Sequence, residues 1–400
     1  MKYNIRTLGC KFNQYESAHI DELLKAAGYS PSSAEEADFI ILNSCAVTSE
    51  ATRQSIQTAR HLKKINANAK IIFTGCAVHD EKIDEFDLVL GNGEKIEILK
   101  YMNSTGIIED KGYFLDDSLN YSIDRIPDHT RAFLSVENGC NWGCTYCAVP
   151  HFRGTRIRSK PLKTAIEEAE KMVRNGTKEI VISGINIALY DDNGSNLKTL
   201  LARMLEIDGN FRIRISSIDP LSVFNFTDLF DNSKLCHHLH ISLQSGADKI
   251  LEMMGRHYTG HDALKLVNEL RERDQEFAFS ADVIVGFPGE SAEEFKETFD
   301  LLSEMRVSRI HVFPFSPRSS TLAATMEDNV SNFEKKERVT RLKELSKTLE
   351  TNFRKRSHGK KQRILVEKIK NGFCEGLDDH YIRYNVKCAG RIGEFIECEV

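Results

Sequence analysis

Hydrophobic and polar positions follow two alternating periods along the first hundred residues. Short apolar runs of the kind that form buried strands are separated by amphipathic stretches of helical period. In chain order these segments are Tyr3–Leu8, Gln14–Ala27, Phe39–Asn43, Ser49–Ile65 and Ile71–Thr74. The order strand, helix, strand, helix, strand predicts a parallel sheet with helices on its faces.

A second, longer series of strand-like runs begins after residues 101–128, whose weak periodicity predicts a connecting region. We therefore expect an N-terminal domain over residues 1–125. Helical stretches separate six apolar runs: Phe133–Val136, Glu179–Ser183, Phe211–Ser216, His238–Leu243, Phe277–Val285 and Arg309–Phe315. Six successive units of this kind predict an incomplete (β/α)6 barrel of TIM type over residues 126–358.

The pattern changes again towards the C-terminus. Residues Glu334–Arg356 predict a charged helix that leaves the barrel. Beyond it, the runs Arg363–Ile369, Tyr381–Val386 and Glu394–Glu399 are separated by glycine-containing turns. This arrangement predicts a small all-β domain over residues 359–400. The complete chain is thus expected to be of the α/β class with a β module at its end.

Composition narrows the class of protein. Hydrophobic residues make up 41% of the chain and charged residues 28%, which is ordinary for a soluble globular protein. No apolar run approaches the roughly 18 residues that a membrane span requires, and the N-terminus has no apolar signal core. We therefore expect a cytoplasmic protein that has no contact with a membrane.

The ten cysteines favour metal binding over a secreted disulfide framework, because such frameworks belong to much shorter chains. Cys140, Cys144 and Cys147 form a C-x3-C-x2-C pattern directly after the first predicted barrel strand. Three thiolates can hold three irons of a 4Fe-4S cluster and leave the fourth iron open to another ligand. The alternatives are a zinc site that lacks its fourth ligand and a chance spacing.

A second cysteine trio lies in the N-terminal domain. Cys10, Cys45 and Cys76 each follow one of the three predicted strands. Because the carboxyl ends of parallel strands meet at one edge of a sheet, these thiols can converge on another cluster. The alternative is three buried structural cysteines. That simpler interpretation is the one we adopt for the remaining cysteines, Cys236, Cys374, Cys388 and Cys398.

Charge is distributed unevenly along the chain. The net charge is −5, yet residues 334–370 contain 14 Lys or Arg and only 5 acidic residues. A segment this basic is typical of a surface that meets nucleic acid, although a lysine-rich helix is also often no more than a solvated face. Our candidate RNA-binding residues are Arg354, Lys355, Arg356, Lys360 and Lys361.

The loop from Cys140 to Cys147 resembles the signature of the radical S-adenosylmethionine superfamily. The resemblance implies that the open iron binds S-adenosylmethionine and that reductive cleavage yields a 5′-deoxyadenosyl radical. It also implies cofactor contacts in segments that follow later strands. The residues carried over are Tyr146 against the adenine, Gly184 in the glycine motif, and Gln244 and Asp282 in the later segments.

Taken as a whole, the chain resembles the methylthiotransferase family over nearly its full length. That resemblance implies two 4Fe-4S clusters, S-adenosylmethionine as cofactor, and a C-terminal TRAM domain that binds RNA. The N-terminal cluster would carry the sulfur that is inserted. The partners implied are a tRNA substrate, a sulfur source and an electron donor such as flavodoxin, and we expect a monomer.

Two segments, Thr7–Glu16 and Gly91–Lys95, resemble the branch of the family that acts on N6-threonylcarbamoyladenosine beside the anticodon. The predicted function is conversion of that nucleoside to its 2-methylthio derivative. Two alternatives keep the same chemistry but act on isopentenyladenosine in tRNA or on an aspartate of a ribosomal protein. A third alternative, from another class, is a non-catalytic iron-sulfur module that binds RNA.

Overall fold

The N-terminal part of the computed structural model, which describes residues 1–79, 83, 85–109, 119–124, 126 and 129–400, is a six-stranded parallel sheet. Its strands are β1 (Lys2–Thr7), β2 (Ser30–Pro31), β3 (Phe39–Ser44), β4 (Lys70–Gly75), β5 (Leu88–Leu90) and β6 (Gly106–Ile108). They lie in the order β2-β1-β3-β4-β5-β6. The predicted parallel sheet is confirmed, and β2, β5 and β6 extend it beyond the three predicted strands.

Two helices cover the two faces of this sheet. Helix α2 (Ser49–Ile65) begins at Thr48, whose hydroxyl accepts a hydrogen bond from the amide of Ala51 at 3.1 Å. Helix α1 (Lys11–Ala26) follows β1 directly, and its Tyr15 is fully buried in the core of the second domain. Helix α1 therefore lies between the N-terminal sheet and the barrel, and connects them.

The second domain contains the predicted barrel strands. They are β7 (Ala132–Asn138), β8 (Arg158–Ser159), β9 (Glu179–Gly184), β10 (Asp191–Asp192), β11 (Ser195–Asn196), β12 (Arg212–Ile215), β13 (Ser217–Ile218), β14 (His238–Gln244), β15 (Ala278–Val285) and β16 (Arg309–Pro314). The third predicted strand is divided at Ser216. Its first half, β12, pairs with β9, and its second half, β13, pairs with β14. The barrel therefore consists of two four-stranded sheets that meet at this break. Its six parallel positions are those of β7, β9, β12, β14, β15 and β16.

Helices follow these strands and pack outside them. They are α3 (Val149–Arg153), α4 (Leu162–Arg174), α5 (Leu197–Leu205), α6 (Pro220–Val223), α7 (Asp248–Met253), α8 (Gly260–Arg273), α9 (Ala292–Glu304) and α10 (Asn332–Ser357). The incomplete barrel predicted from the sequence is confirmed. No helix within the described ranges is long and apolar enough to cross a membrane.

The chain ends in an antiparallel sheet of four strands, β17 (Lys361–Lys370), β18 (Phe373–Leu377), β19 (Arg383–Lys387) and β20 (Phe395–Glu399). The all-β prediction is confirmed, with β18 as an additional strand. Cys374 and Cys388, expected to be unpaired structural cysteines, instead form a disulfide between β18 and the residue after β19. The sequence did not predict β18, and it is the pairing of β18 with β19 that brings these two cysteines together. Cys236 is buried as expected, and Cys398 is half-buried.

The predicted domain boundaries stay predictions. Several residues of the expected connecting region, namely 110–118, 125, 127 and 128, lie outside the described ranges. The N-terminal part and the barrel are in direct contact, because the hydroxyl of Tyr15 on α1 donates a hydrogen bond to Glu168 on α4 at 2.7 Å.

A buried ion network fastens the C-terminal sheet to the barrel. Glu179, on β9, accepts hydrogen bonds from Arg212 at 2.6 Å and Arg214 at 2.9 Å. Both arginines also donate to the loop after β18, at the carbonyls of Leu377 (2.9 Å) and Asp378 (2.8 Å). Although burial opposes ionisation, the two arginines hold the pKa of Glu179 far below its usual range. The carboxylate is therefore charged, and together with Asp379, which lies 2.9 Å from Arg212, it compensates two buried cations.

We expect Glu179→Gln to destabilise the protein by about 3 to 5 kcal/mol, because loss of one partner leaves buried charges uncompensated. Urea unfolding followed by circular dichroism measures this loss, and proteolysis should detach the C-terminal sheet earlier. The matched control is Glu170→Gln on α4, where an exposed pair with Arg174 at 3.3 Å should contribute less than about 1 kcal/mol. Equal stability of the two variants would contradict the assigned role of the network.

Candidate functional site

The N-terminal cysteine trio lies at the carboxyl edge of the parallel sheet. Cys10 precedes α1, Cys45 follows β3, and Cys76 begins a short 3-10 turn after β4. The glycines before Cys10 and Cys76 make this convergence possible. Gly9 has φ of +93°, and a Cβ there would lie 2.7 Å from the Cβ of Cys45. Gly75 has φ of +97°, and a Cβ there would lie 2.4 Å from a backbone oxygen.

Side-chain amides and hydroxyls fix the backbone beneath these thiols. The Asn13 amide donates to the carbonyls of Leu8 at 2.9 Å and Ser44 at 2.8 Å, and so joins the loops that carry Cys10 and Cys45. The Ser55 hydroxyl accepts from the amide of Cys45 and donates to its carbonyl, both at 3.0 Å. The positions of the thiols are thus set by the surrounding fold before any metal is considered.

A buried cation lies next to this trio. Arg153, on α3 of the second domain, donates to Glu16 at 2.5 Å and to Asn13 at 2.6 Å. Lys95 reaches the same carboxylate at 2.6 Å, so the group carries one excess positive charge. Burial raises the pKa of the Cys45 thiol to about 11, and the Arg153 charge opposes that rise. Such a charge favours thiolates, the form in which cysteine binds metal.

Sequence reasoning missed the roles of Glu16, Lys95 and Arg153. Glu16 and Lys95 do fall within the two segments that suggested the branch of the family, but nothing local indicated a shared ion pair. Arg153 stands 137 residues after Glu16, and only the tertiary structure joins them.

The second trio lies on the loop after β7. Gly139 has φ of +96°, and a Cβ there would lie 2.0 Å from the Arg156 carbonyl oxygen. The Asn186 amide contacts the Cys140 sulfur at 3.8 Å. Arg256 contacts the Cys144 sulfur at 3.3 Å. Burial raises the pKa of the Cys147 thiol to about 12, and the charges of the other two thiols add to it. The three thiols therefore lie close enough that the charges of Cys140 and Cys144 affect the pKa of Cys147.

The predicted cofactor residues gather beside this trio. Tyr146, Gln244 and Asp282 line a cavity of about 260 Å³ together with Cys147. Gly184 lines a neighbouring cavity of about 600 Å³ instead, and a Cβ there would lie 2.9 Å from the Glu137 carbonyl oxygen. A side chain at this position would therefore collide with β7, which explains the need for glycine.

The two cavities adjoin. The larger one is lined by all three N-terminal thiols, and the two share Val47, Val149, Asp282 and Phe313. Asp282 stands at this junction, with His240 at 3.0 Å and His311 at 3.5 Å. Although burial raises the pKa of its carboxyl, these histidines hold it well below the usual range. Cys10, Cys45 and Cys76 thus line the larger cavity, and Cys147 of the second trio lines the smaller cavity beside it.

Histidines of the barrel interior were also missed by sequence reasoning. His238 and His240 are two residues apart on β14 and both line the larger cavity. Their spacing of two is a signal that was present in the sequence, because such residues share one face of a strand.

The predicted RNA-binding residues line neither cavity. Arg354 is held by Glu350 at 2.9 Å, and Lys360 by Glu276 at 3.0 Å. Arg356 packs over the Phe353 ring at 5.1 Å. Lys355 and Lys361 are exposed and make no ion pair with any described residue. Their role in RNA binding stays a prediction.

Comparisons with known proteins agree with this arrangement. Residues 134–302 match the Radical SAM superfamily, and residues 2–91 match the uncharacterized protein family UPF0004. Each matched range contains one cysteine trio.

The chain is 41% identical to the threonylcarbamoyladenosine tRNA methylthiotransferase MtaB of Thermotoga maritima, over 98% of this chain and 92% of that protein. It is 34% identical to the tRNA-2-methylthio-N(6)-dimethylallyladenosine synthase of Thermodesulfovibrio yellowstonii, over 93% of this chain and 89% of that protein.

Among solved structures, the radical S-adenosylmethionine methyltransferase TsrM from Kitasatospora setae, with cobalamin and a [4Fe-4S] cluster bound, has a TM-score of 0.58. The alignment covers 81% of this chain and 77% of TsrM at 13% identity, and therefore supports the fold alone. With one cysteine trio in the larger cavity, Cys147 of the other in the cavity beside it, and relatives matched over almost their whole length, the chain belongs to the radical S-adenosylmethionine methylthiotransferase family.

Proposed function

We propose that the protein converts N6-threonylcarbamoyladenosine in tRNA to its 2-methylthio derivative. One observation carries the proposal: Cys10, Cys45 and Cys76 line the larger of two adjoining cavities, and Cys147, from the trio with Cys140 and Cys144, lines the smaller. A reaction that cleaves S-adenosylmethionine and inserts sulfur requires two such sites within reach of one acceptor. The relative from Thermotoga maritima, 41% identical, is named for this nucleoside.

In this proposal each trio holds a 4Fe-4S cluster. The donor sets fit, since each offers three thiols, at least one of which lines a cavity, and each lies next to an arginine, Arg153 or Arg256. When bound, the cluster at Cys140, Cys144 and Cys147 would supply the electron that cleaves S-adenosylmethionine. The cluster at Cys10, Cys45 and Cys76 would hold the sulfur atom that is inserted into the nucleoside. Arg153 is itself held by Glu16, so its charge stays fixed at the first trio.

The remaining predicted residues orient the cofactor. Tyr146 packs beside Phe287 and Phe315 and presents an apolar wall to the smaller cavity. Gln244 takes a φ of +64°, an uncommon conformation for a residue with a side chain, and it lines the same cavity. Asp282 stays ionised between its histidines and offers a fixed acceptor where the two cavities meet.

The wider assignment follows the same proposal. Residues 1–125 form the domain of the sulfur-donating cluster, residues 126–358 the radical domain, and residues 359–400 a TRAM-like module for tRNA. The protein would act as a monomer in the cytoplasm, supplied by an electron donor such as flavodoxin and by a sulfur source. Small antiparallel sheets of this kind offer exposed strands and loops to RNA.

We expect anaerobically reconstituted protein to contain about eight irons per chain, and the Cys140, Cys144 and Cys147 triple alanine variant about four. Iron and sulfide analysis decides the matter. A variant that lost all its iron would show that the two sites are not independent.

Joint replacement of Cys10, Cys45 and Cys76 by serine should keep the formation of 5′-deoxyadenosine but abolish the methylthio nucleoside, because only the sulfur-donating site is lost. Mass spectrometry of tRNA nucleosides measures both the product and the acceptor. The half-buried Cys398, changed to serine, is the matched control and should retain both activities. Production of the methylthio nucleoside at the parental rate by the triple variant would place the sulfur elsewhere.

Replacement of Lys355 and Lys361 by glutamine should flatten the salt dependence of tRNA affinity. Each phosphate contact contributes about 0.7 to 0.9 to the slope of log affinity against log salt, so the slope should fall by about 1.4 to 1.8. Lys163→Gln, an exposed change on α4, serves as the control. An unchanged slope would assign these lysines to a solvated face.

A further inference from the structure

One cation in the larger cavity has no assigned partner. Lys11, the first residue of α1, is partly buried and lines this cavity beside Cys10. Across the described ranges its side chain makes no hydrogen bond or ion pair. Burying an ammonium group from water is unfavourable unless an anion compensates it. The cavity therefore presents an uncompensated positive charge to whatever enters it.

The other cations of this cavity already have carboxylate partners. Arg153 is paired with Glu16 at 2.5 Å, and Arg214 with Glu179 at 2.9 Å. Asp282 is the only carboxylate among the described lining residues, and its oxygens are occupied by His240 and His311. No described carboxylate of the lining is therefore left for Lys11, and a carboxylate that enters the cavity can pair with it.

Two lining residues lie within the electrostatic reach of Lys11. Burial is the main reason that the pKa of His238 falls well below its usual value, and Lys11 adds to that fall. Although burial acts to raise the pKa of Tyr381, Arg131 and Lys11 bring it below its usual value. The rings of His238 and Tyr381 stack with centroids 4.9 Å apart. Lys11 and this stacked pair line the same cavity.

His238 offers an unused ring nitrogen in the same cavity. Its Nε2 forms a hydrogen bond with the Ser280 hydroxyl at 3.0 Å, and that hydroxyl also bonds with Nδ1 of His240 at 2.7 Å. The Nδ1 atom of His238 is buried and has no hydrogen-bond partner among the described residues. This nitrogen is therefore available to a hydroxyl group that enters the cavity.

Tyr381 closes the same end of the cavity at a conformational cost. Its φ of +65° is rare for an aromatic residue and is energetically unfavourable. The residue belongs to the loop between β18 and β19, so the C-terminal sheet supplies this wall. Arg214 lies over its ring at 4.9 Å. A strained residue held at a cavity wall is a common feature of binding sites.

We propose that Lys11 pairs with the carboxylate of the threonyl group of the acceptor nucleoside and thereby selects this nucleoside. The inference rests on the proposed function. A threonylcarbamoyl group carries a carboxylate and, on the neighbouring carbon, a hydroxyl that can donate a hydrogen bond. Lys11 matches the first group, and Nδ1 of His238 matches the second. A dimethylallyl group has neither.

The test uses reconstituted holoprotein and anticodon stem-loop RNA that carries N6-threonylcarbamoyladenosine as the free acid or as its methyl ester. For the parent protein, esterification should lower kcat/KM by about 10- to 100-fold, the range expected for a hydrogen bond to a charged group. Lys11→Gln should lower kcat/KM on the acid by a similar factor, mainly through KM, with little further loss on the ester. Lys11→Arg should restore most of the preference for the acid.

The matched control is Lys64→Gln, an exposed change in the last turn of α2, which should leave the acid preference of the parent intact. Equal losses on acid and ester in Lys11→Gln would overturn the inference and leave the proposed function standing. If Lys11→Gln fails to retain its iron, loss of the acid preference in Lys11→Arg overturns the inference in its place. A parent protein that modifies dimethylallyladenosine RNA but not the threonylcarbamoyl RNA would overturn the proposed function as well.

Discussion

The buried ion pair between Glu16 and Arg153 is the contact on which the site depends most. Glu16 belongs to α1 of the N-terminal sheet, and Arg153 follows the cysteine loop of the barrel. Their 2.5 Å contact lies in a fully buried setting, together with Lys95. Breaking a pair of this kind costs several kcal/mol, because the remaining charge has no water to solvate it. The ion pair therefore fixes the two cysteine trios relative to each other, because neither domain could bury its charged residue without the partner from the other domain.

A second set of buried ion pairs joins the barrel to the C-terminal sheet. Arg212 and Arg214 can be buried only because Glu179 lies between them, and their remaining donors are taken up by carbonyls of the C-terminal sheet. This docking carries Tyr381 into the end of the larger cavity. Residues from all three parts of the chain therefore line one cavity, and buried ion pairs act together with shared apolar clusters to hold those parts in register.

Features that depend on local pattern could be predicted from the sequence. Strands β3 and β4 contain continuous apolar runs, and the spacing of Cys140, Cys144 and Cys147 is itself the signal. The convergence of Cys10, Cys45 and Cys76 also followed from the rule that parallel strands end at one edge. Strands β5 and β6, of three residues each, are too short to show a period.

Features that depend on partners distant in sequence could not be predicted. The helix over residues 334–356 was expected from its pattern, and the structure extends it to Asn332–Ser357. Its Lys335 and Arg338, however, are buried against Asp328 and Glu290, so part of the basic segment serves the fold. Charge counted along a sequence overstates the charge available to a ligand, because neutralisation is decided by tertiary contacts.

That distinction also bears on how the internal cavity works. Arg153 and Arg256 each lie at a cysteine trio, and each is fixed by further contacts, to Glu16 and to Ser242 respectively. The positive charges of Arg153 and Arg256 therefore act on the cysteine sulfurs and are not available to an acceptor. Lys11 differs, since no described residue neutralises it although it adjoins Cys10. In a family whose members share the same sulfur chemistry, discrimination between acceptors must come from groups that the chemistry leaves free, and Lys11 is such a group.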